Sequence, residues 1–195
     1  MEENYSIQAK NLLDNLINEY NETIKSIHKI DIVLKQVKGI RIEVNKRTRW
    51  ISEVANISKE VANRKVRILI YNEDYIDPVK GELKNLSLEC LKSGQFIDVI
   101  QPEFSYNDLM SLVDEIEAKQ RKILTKCSKA KMDPVLRSKN AVENEFIDQA
   151  IARKTSSNCQ EIFDNNEKKI TELTNQKIKM ILGNENYKRF VKENF

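Results

Sequence analysis

The chain has 195 residues, 33 Lys+Arg against 30 Asp+Glu, a formal net charge of +3, four Gly and three Pro. So few Gly and Pro exclude a collagen-like or low-complexity chain, and the Leu, Ile and Val content excludes full disorder. The length allows one or two domains with a sizeable core, and so small a charge excess says nothing of partners until its placement is known.

The first residues, Met1-Glu2-Glu3-Asn4, are acidic and resemble neither a signal peptide nor a transit peptide. Either no targeting segment is expected or it is absent from this chain. No apolar run reaches the ~18 residues of a membrane span, so no membrane partner is expected.

From Ala9 the apolar positions run Ala9, Leu13, Leu16/Ile17, Tyr20, Ile24 and Ile27. This 3-4 spacing predicts an amphipathic helix that fades through Val33-Leu34 toward Gly39. The period then changes. Ile40, Ile42 and Val44 alternate with Arg41, Glu43 and Asn45, which predicts a half-buried strand, and Lys65–Tyr71 predicts a second. After an Asn72-Glu73-Asp74 turn, Val79, Leu83, Leu86 and Cys90 fit a short helix with Pro78 near its start. Ser93-Gly94 breaks the chain, and Phe96–Ile100 predicts a third strand closed by Pro102.

Ser105 fits a helix N-cap, with Asp108 three residues on as an acidic capping-box partner. Leu109, Val113, Ile116, Gln120, Ile123, Cys127 and Ala130 then recur at steps of four and three, a heptad seam. Pro134 either kinks this helix, losing a backbone hydrogen bond at ~3 kcal/mol, or marks its end near Asp133. A third helical stretch carries Cys159, Ile162/Phe163, Ile170, Leu173 and Met180/Ile181, capped by Asp148 and ended by Gly183. Helices with such narrow stripes must bury them on each other. The expected fold class is α+β: a long antiparallel three-helix bundle (residues 1–35 and 104–185), an inserted, mostly β domain (36–103) and a C-terminal extension (186–195).

Little suggests catalysis. The three cysteines, Cys90, Cys127 and Cys159, form no C-x-x-C pair, and two of them fall on apolar stripes, which suggests buried structural thiols. The single histidine, His28, has no ligand-spaced companion and reads as a surface or helix-end residue. Four scattered glycines build no phosphate loop, and no carboxylate pair is forced into an apolar setting. An enzyme, a metal site and a cofactor are not expected.

One charge run stands out. Lys119, Arg121, Lys122, Lys126, Lys129, Lys131, Arg137 and Lys139 are interrupted by a single acid, Asp133. It is either a solvated face whose stems cover apolar surface or a phosphate-tracking surface for nucleic acid. Lys46-Arg47-Thr48-Arg49-Trp50 is a second basic cluster. Its lone Trp reads as a strand-end or core residue before it reads as a base-stacking platform.

The order of parts resembles the ribosome recycling factor family, over about residues 5–182. Tyr20–Ile27 is similar to the end of the family's first helix. Lys38-Gly39-Ile40-Arg41-Ile42-Glu43-Val44 resembles its first strand. Ile97-Asp98-Val99-Ile100-Gln101-Pro102-Glu103-Phe104-Ser105 resembles its strand, return hinge and helix cap. Gln160, Asp164, Lys168-Lys169-Ile170 and Lys177 follow its third helix. The resemblance implies a non-enzymatic monomer that binds the intersubunit face of the post-termination ribosome. Its helical domain would lie along large-subunit rRNA, and its small domain would meet the translocase elongation factor, whose GTP hydrolysis drives subunit splitting.

The chain departs from the family in three places. The first helix of the family ends in arginine-threonine-glycine-arginine; here those positions read His28-Lys29-Ile30-Asp31. The second helix's arginine-rich run reads Ser128-Lys129-Ala130-Lys131-Met132-Asp133, and Lys131 keeps charge without the guanidinium fork. The Gly-Thr-Pro loop after the first strand is replaced by the Lys46–Arg49 cluster. Carried over residue by residue, the resemblance implies Lys29, Lys129 and Lys131 as rRNA contacts, and Lys122 and Lys126 of the basic run join them as candidates. It places the interdomain hinge at Asp31, Ile32, Glu103 and Phe104. The losses suggest a divergent organellar member (mitochondrion or plastid, with a bacterial cytoplasm as the alternative). They fit equally a paralogue that keeps the fold as a helical protein- or RNA-binding module.

Overall fold

The computed structural model describes residues 2–194, with side chains from Tyr5 to Asn194. The chain divides into two compact units. One comprises the residues up to Ser26 and those from Val113 onward, the other Ile27–Leu112.

The first unit is helical. It is built from α1 (Glu2–Lys25), α5 (Tyr106–Glu143) and α6 (Gln149–Asn194), with α5 entering it after Leu112. Stripes on all three helices are buried together: Ala9, Leu13, Tyr20 and Ile24; Val113, Ile116, Ile123 and Cys127; Cys159, Ile170, Ile178, Ile181 and Leu182. Helix directions follow from the contacts. Tyr20 meets Thr174 at 2.6 Å and Lys177 Nζ donates to the Lys25 carbonyl at 3.4 Å, so α1 and α6 run parallel. Leu12 lies with Lys129 and Thr23 with Lys119, so α5 runs against α1. Thr174 gives its hydroxyl proton to the Ile170 carbonyl at 2.7 Å, so Tyr20 must be the donor to Thr174. Burial raises the Tyr20 phenol above its ordinary pKa. Lys177, itself buried, brings a cation to the C-terminal end of α1, where the helix dipole favours one.

The expected seam of α5 is present and runs further, through buried Pro134 and Ser138. The helix does not end at Asp133. It continues to Glu143 with Pro134 inside it. Proline there cannot donate to the Ala130 carbonyl, and its ring instead fills a seam position. On α6 the stripe passes through Thr174, Lys177, Ile178 and Ile181, whereas Met180, expected on it, is 71% exposed. Gly183 breaks α6 with φ 74 and ψ 170, a backbone region held essentially by glycine alone. A helix nevertheless resumes beyond it, and buried Phe190 anchors the stretch expected as an extension.

The second unit is α+β. Helix α2 (Ile30–Lys38) precedes a hairpin of β1 (Arg41–Val44) and β2 (Arg47–Trp50). A single turn, α3 (Ile51–Val54), leads into an antiparallel sheet of β3 (Ala55–Glu60), β4 (Lys65–Ile70), β5 (Cys90–Ser93) and β6 (Phe96–Ile100). Its strand order is β3-β4-β6-β5, and helix α4 (Ile76–Asn85) lies between β4 and β5 in sequence. Val66, Ile68 and Ile70 alternate inward with Lys65, Arg67 and Leu69 outward. The inward set joins Ile97, Val99, Val79, Leu83 and the α2 residues Ile30, Val33 and Val37 in one core. Residues 30–35, expected with the bundle, are held here by that α2 stripe. Cys90, expected at a helix end, lies on edge strand β5, because α4 stops at Asn85.

Charge is arranged on the sheet's outer face. Asp98 accepts Arg67 Nε at 2.8 Å and Lys65 Nζ at 2.7 Å, while Glu60 lies 3.3 Å from Arg67 and 3.4 Å from Lys65. These are cross-strand pairs set by register, Arg67 opposite Asp98 and Glu60 opposite Lys65. The Arg67 guanidinium, with Lys65 beside it, holds the Asp98 carboxyl well below the usual carboxylate range. At the start of α5 the Ser105 hydroxyl donates to Asp108 at 2.7 Å and the Ser105 N–H does so at 3.0 Å. The Asp108 N–H returns a bond to the Ser105 oxygen at 3.3 Å, completing the capping box.

A carboxylate with a depressed folded pKa stabilises fully above its unfolded value, about 4, and the contribution is lost as pH falls toward the folded one. Asp98→Asn should therefore cost about 1–2 kcal/mol at neutral pH. In urea melts repeated down a pH series, the gap from the parent chain should narrow below about pH 4. Gly183→Ala meets no atom within 4 Å of the new Cβ, so its cost is backbone strain alone, about 1–3 kcal/mol. That cost should appear as earlier thermal loss of the helical far-ultraviolet signal.

Candidate nucleic-acid interface

On α5, Lys119, Lys122, Lys126 and Lys129 recur at steps of three and four, so they share one helix face over about 15 Å. That face borders α1. Lys126 and Lys129 line an apolar groove with Leu12, Leu16 and Ala130, and Lys119 and Lys122 line a neighbouring one with Tyr20 and Thr23. Two of the four lysines are engaged: Lys126 pairs with Glu19 at 2.8 Å and Lys119 with Glu115 at 3.5 Å. Lys122 and Lys129 have no ion-pair partner among the described residues. The Lys126 pair is exposed on both sides and so worth little. A phosphate can replace its carboxylate at small cost.

The candidate rRNA residues do not form a single set. Lys122, Lys126 and Lys129 are brought together on the α1 side of α5. Lys131 turns the other way. Its Nζ donates to Gln160 Oε1 at 2.7 Å and sits 4.5 Å from the Phe163 ring centre, while Gln160 Nε2 donates to Asp164 at 2.6 Å. Lys131 therefore ties α5 to α6 through residues that the family resemblance singled out on the third helix. Lys29 is half-buried just before α2 and belongs to the smaller unit.

The candidate hinge residues separate too. Asp31 and Ile32 lie inside the first turn of α2, and the helical chain breaks earlier, at 26–29. Asp31 accepts the His28 N–H at 2.8 Å and Lys59 Nζ at 2.6 Å, which fixes it to the small unit's own framework. Glu103 and Phe104 do lie in irregular chain, between β6 and α5. His28 is a helix-end residue before α2. Cys127 and Cys159 are buried, and burial raises both thiols. Among the described residues no group of three His, Cys, Asp or Glu can hold a metal ion, and no helix is long and apolar enough to cross a membrane.

A second basic element was only half legible. The Lys46–Trp50 cluster is the turn and second strand of the β1–β2 hairpin. Asn45 and Lys46 form its two-residue turn with φ of 53 and 62, the paired positive values of a type I′ connection. Arg41 stands opposite Trp50 in register, its guanidinium 4.0 Å from the ring centre, and the indole is 42% exposed. Trp50 is thus a strand-end residue, fixed by its N–H to Glu53 at 3.3 Å. Strand β2 escaped detection because Arg-Thr-Arg-Trp shows no apolar alternation.

The fold is α+β, three long helices with an antiparallel sheet unit between the first and second of them. No family model and no curated protein matches the chain. Among solved structures it is similar to a solution structure of the ribosome recycling factor, with a TM-score of 0.42 and 16% identity over 94% of this chain and 98% of that one. It is also similar to the T. thermophilus ribosome recycling factor, placed with the E. coli elongation factor G on the E. coli post-termination complex. There the TM-score is 0.38 and the identity 12%, over 88% of this chain and 99% of that one.

Removing the carboxylate that competes for Lys126 should strengthen anion binding. Glu19→Gln is expected to raise RNA affinity two- to threefold, roughly the weight of one exposed pair. Stability should stay within about 0.5 kcal/mol, as read by anisotropy titration beside a thermal melt.

Proposed function

We propose that the chain is a divergent ribosome recycling factor, acting on the post-termination ribosome with a translocase elongation factor and itself carrying out no chemistry. The observation that carries this is where the family-like segments fall. Lys38–Val44 lies at the end of α2 and on β1. Ile97–Ser105 forms β6, the irregular connection and the cap of α5. Gln160, Asp164, Lys168, Lys169, Ile170 and Lys177 share α6, where Gln160 and Lys177 make the contacts to α5 and α1. These three segments of diffuse likeness contain a strand, a helix cap and a helix face, which supports the reading.

In this reading the α5 lysine face lies along large-subunit rRNA, Lys122 and Lys129 supplying unpaired charge and Lys126 exchanging Glu19 for a phosphate. Binding of this kind releases counterions and weakens steeply with salt. An organelle would be the setting, since the family's arginines are missing at positions 28 and 31.

A second reading, a paralogue that keeps the fold without recycling, is favoured by Asp31. That carboxylate stands where the family has an arginine and is committed to Lys59.

Co-sedimentation with large ribosomal subunits should show strongly salt-dependent binding. Lys122→Glu with Lys129→Glu should weaken it at least tenfold, about 1.4 kcal/mol; unchanged binding would remove the α5 face from the proposal. A polysome-splitting assay with the cognate translocase separates the two readings, because intact binding without splitting supports the paralogue.

A further inference from the structure

We infer that the groove between α1 and α5 docks an acidic amphipathic helix of a partner protein, and that such a helix excludes rRNA from the lysines on its rim. The docking stands on the groove alone. The exclusion rests on the α5 lysine face being the rRNA face.

The two depressions beside α5 form one trough, because Glu19 and Lys126 line both. On the α1 wall it runs from Leu12 to Thr23, a span of about 16 Å or three turns of helix. It holds about 480 Å³ at the Leu12 end and about 200 Å³ toward Thr23. It is also open to solvent along its length. A small molecule there would stay largely exposed, whereas small-molecule sites bury most of their ligand. A ridge of side chains from another helix is the shape that seats between two helices.

The floor and the rim differ in chemistry. Leu12 is 44% exposed, although Ala9 and Leu13 beside it are buried. It lies in the trough with Leu16 and Ala130. The walls carry four lysines, Lys119, Lys122, Lys126 and Lys129, against one carboxylate, Glu19. An apolar floor under a basic rim is the complement of a helix with leucines on one face and carboxylates on its flanks. Lys122 and Lys129 have no ion-pair partner among the described residues, so incoming carboxylates meet charge that is not already engaged.

Other occupants use only part of this surface. RNA phosphates pair with the lysines and gain nothing from Leu12 or Leu16. A bilayer needs apolar groups that project into it, and here they are recessed between two helices. Carboxylates on a docked helix take the same ammonium groups as phosphates, so helix and rRNA cannot be bound together.

The probe is a fluorescein-labelled peptide of leucine, alanine and glutamate, about eighteen residues long, above the length at which isolated helices become marginal. Its leucines recur at steps of three and four, with glutamates on both flanks. The full chain is titrated into it and anisotropy is read. Saturable binding is expected. A scrambled peptide of the same composition keeps the charge without the apolar face, and should bind at least tenfold more weakly. Leu12→Asn should weaken the ordered peptide about fivefold, and Leu12→Met should restore it. Both variants should melt with the parent, since the side chain is largely exposed. Lys122→Glu with Lys129→Glu should weaken the peptide at least tenfold. On large ribosomal subunits, Leu12→Asn should co-sediment like the parent, and saturating ordered peptide should release the parent. Absent peptide binding, equal binding of the scrambled peptide, or full binding by Leu12→Asn would each overturn the docking. Subunit binding that persists under saturating peptide would overturn the exclusion. Failure to co-sediment at all would remove the rRNA reading and the exclusion with it, while the peptide titration still decides the docking.

Discussion

Three helices with narrow apolar stripes must find each other, and this one constraint organises the chain. None of the stripes on α1, α5 and α6 is wide enough to stabilise its helix alone in water. The first helix belongs with the last two, so everything between Ile27 and Leu112 must leave the helical unit and return to it. An insertion of that size needs its own core, and the Val/Ile rows of β4 and β6 against α2 and α4 supply it. The seam is not purely apolar. Ser138, Thr155, Asn166, Thr174 and Lys177 are buried along it. Thr174 and Lys177 are bonded, whereas the Asn166 amide nitrogen and the Thr155 hydroxyl have no partner among the described residues. Such polar positions restrict which register of three helices can form.

Charge follows a different logic in each unit. On the sheet, register places cations opposite carboxylates, so Lys65 and Arg67 of β4 are neutralised by Glu60 of β3 and Asp98 of β6. On α5 some lysines are paired and others are open, which makes a graded surface rather than a uniform one. In the hairpin the pairing stops. The near balance of the composition is thus a sum over a paired sheet, a half-paired helix and an unpaired hairpin.

Much of the fold could be read from residue spacing, and the failures have physical causes. The long helices, strands β1, β4 and β6, and the Ser105 cap were legible because their patterns are local: period 3.6, period two, and a hydroxyl three residues before a carboxylate. Strands β2, β3 and β5 were not. They are edge or hairpin strands, with Arg47–Trp50 carrying no apolar alternation and Ala55–Glu60 only one large apolar side chain, Ile57. Helix α2 has a clear Ile30, Val33, Val37 stripe, but it follows α1 so closely that it looked like that helix fading. At the candidate interface, helical spacing did reveal the Lys122–Lys126–Lys129 face. It could not show that Lys131 turns to Gln160 or that Glu19 reaches Lys126, since both are contacts between distant segments. The hinge assigned to Asp31 and Ile32 came from family likeness, and the local Asp31–His28 bond places those residues inside a helix.

Gly183 has a consequence for how the end of the chain loosens. A helix normally frays from its terminus inward, each lost hydrogen bond weakening the next. At Gly183 the backbone leaves helical geometry, so the ladder is interrupted and the closing stretch to Asn194 is joined to the seam by side chains such as Phe190 rather than by a continuous run of amide bonds. Unwinding that begins at the tail therefore stops at the glycine. The tail's hold on Ile178, Ile181 and Leu182 then rests on buried Phe190 rather than on the backbone ladder.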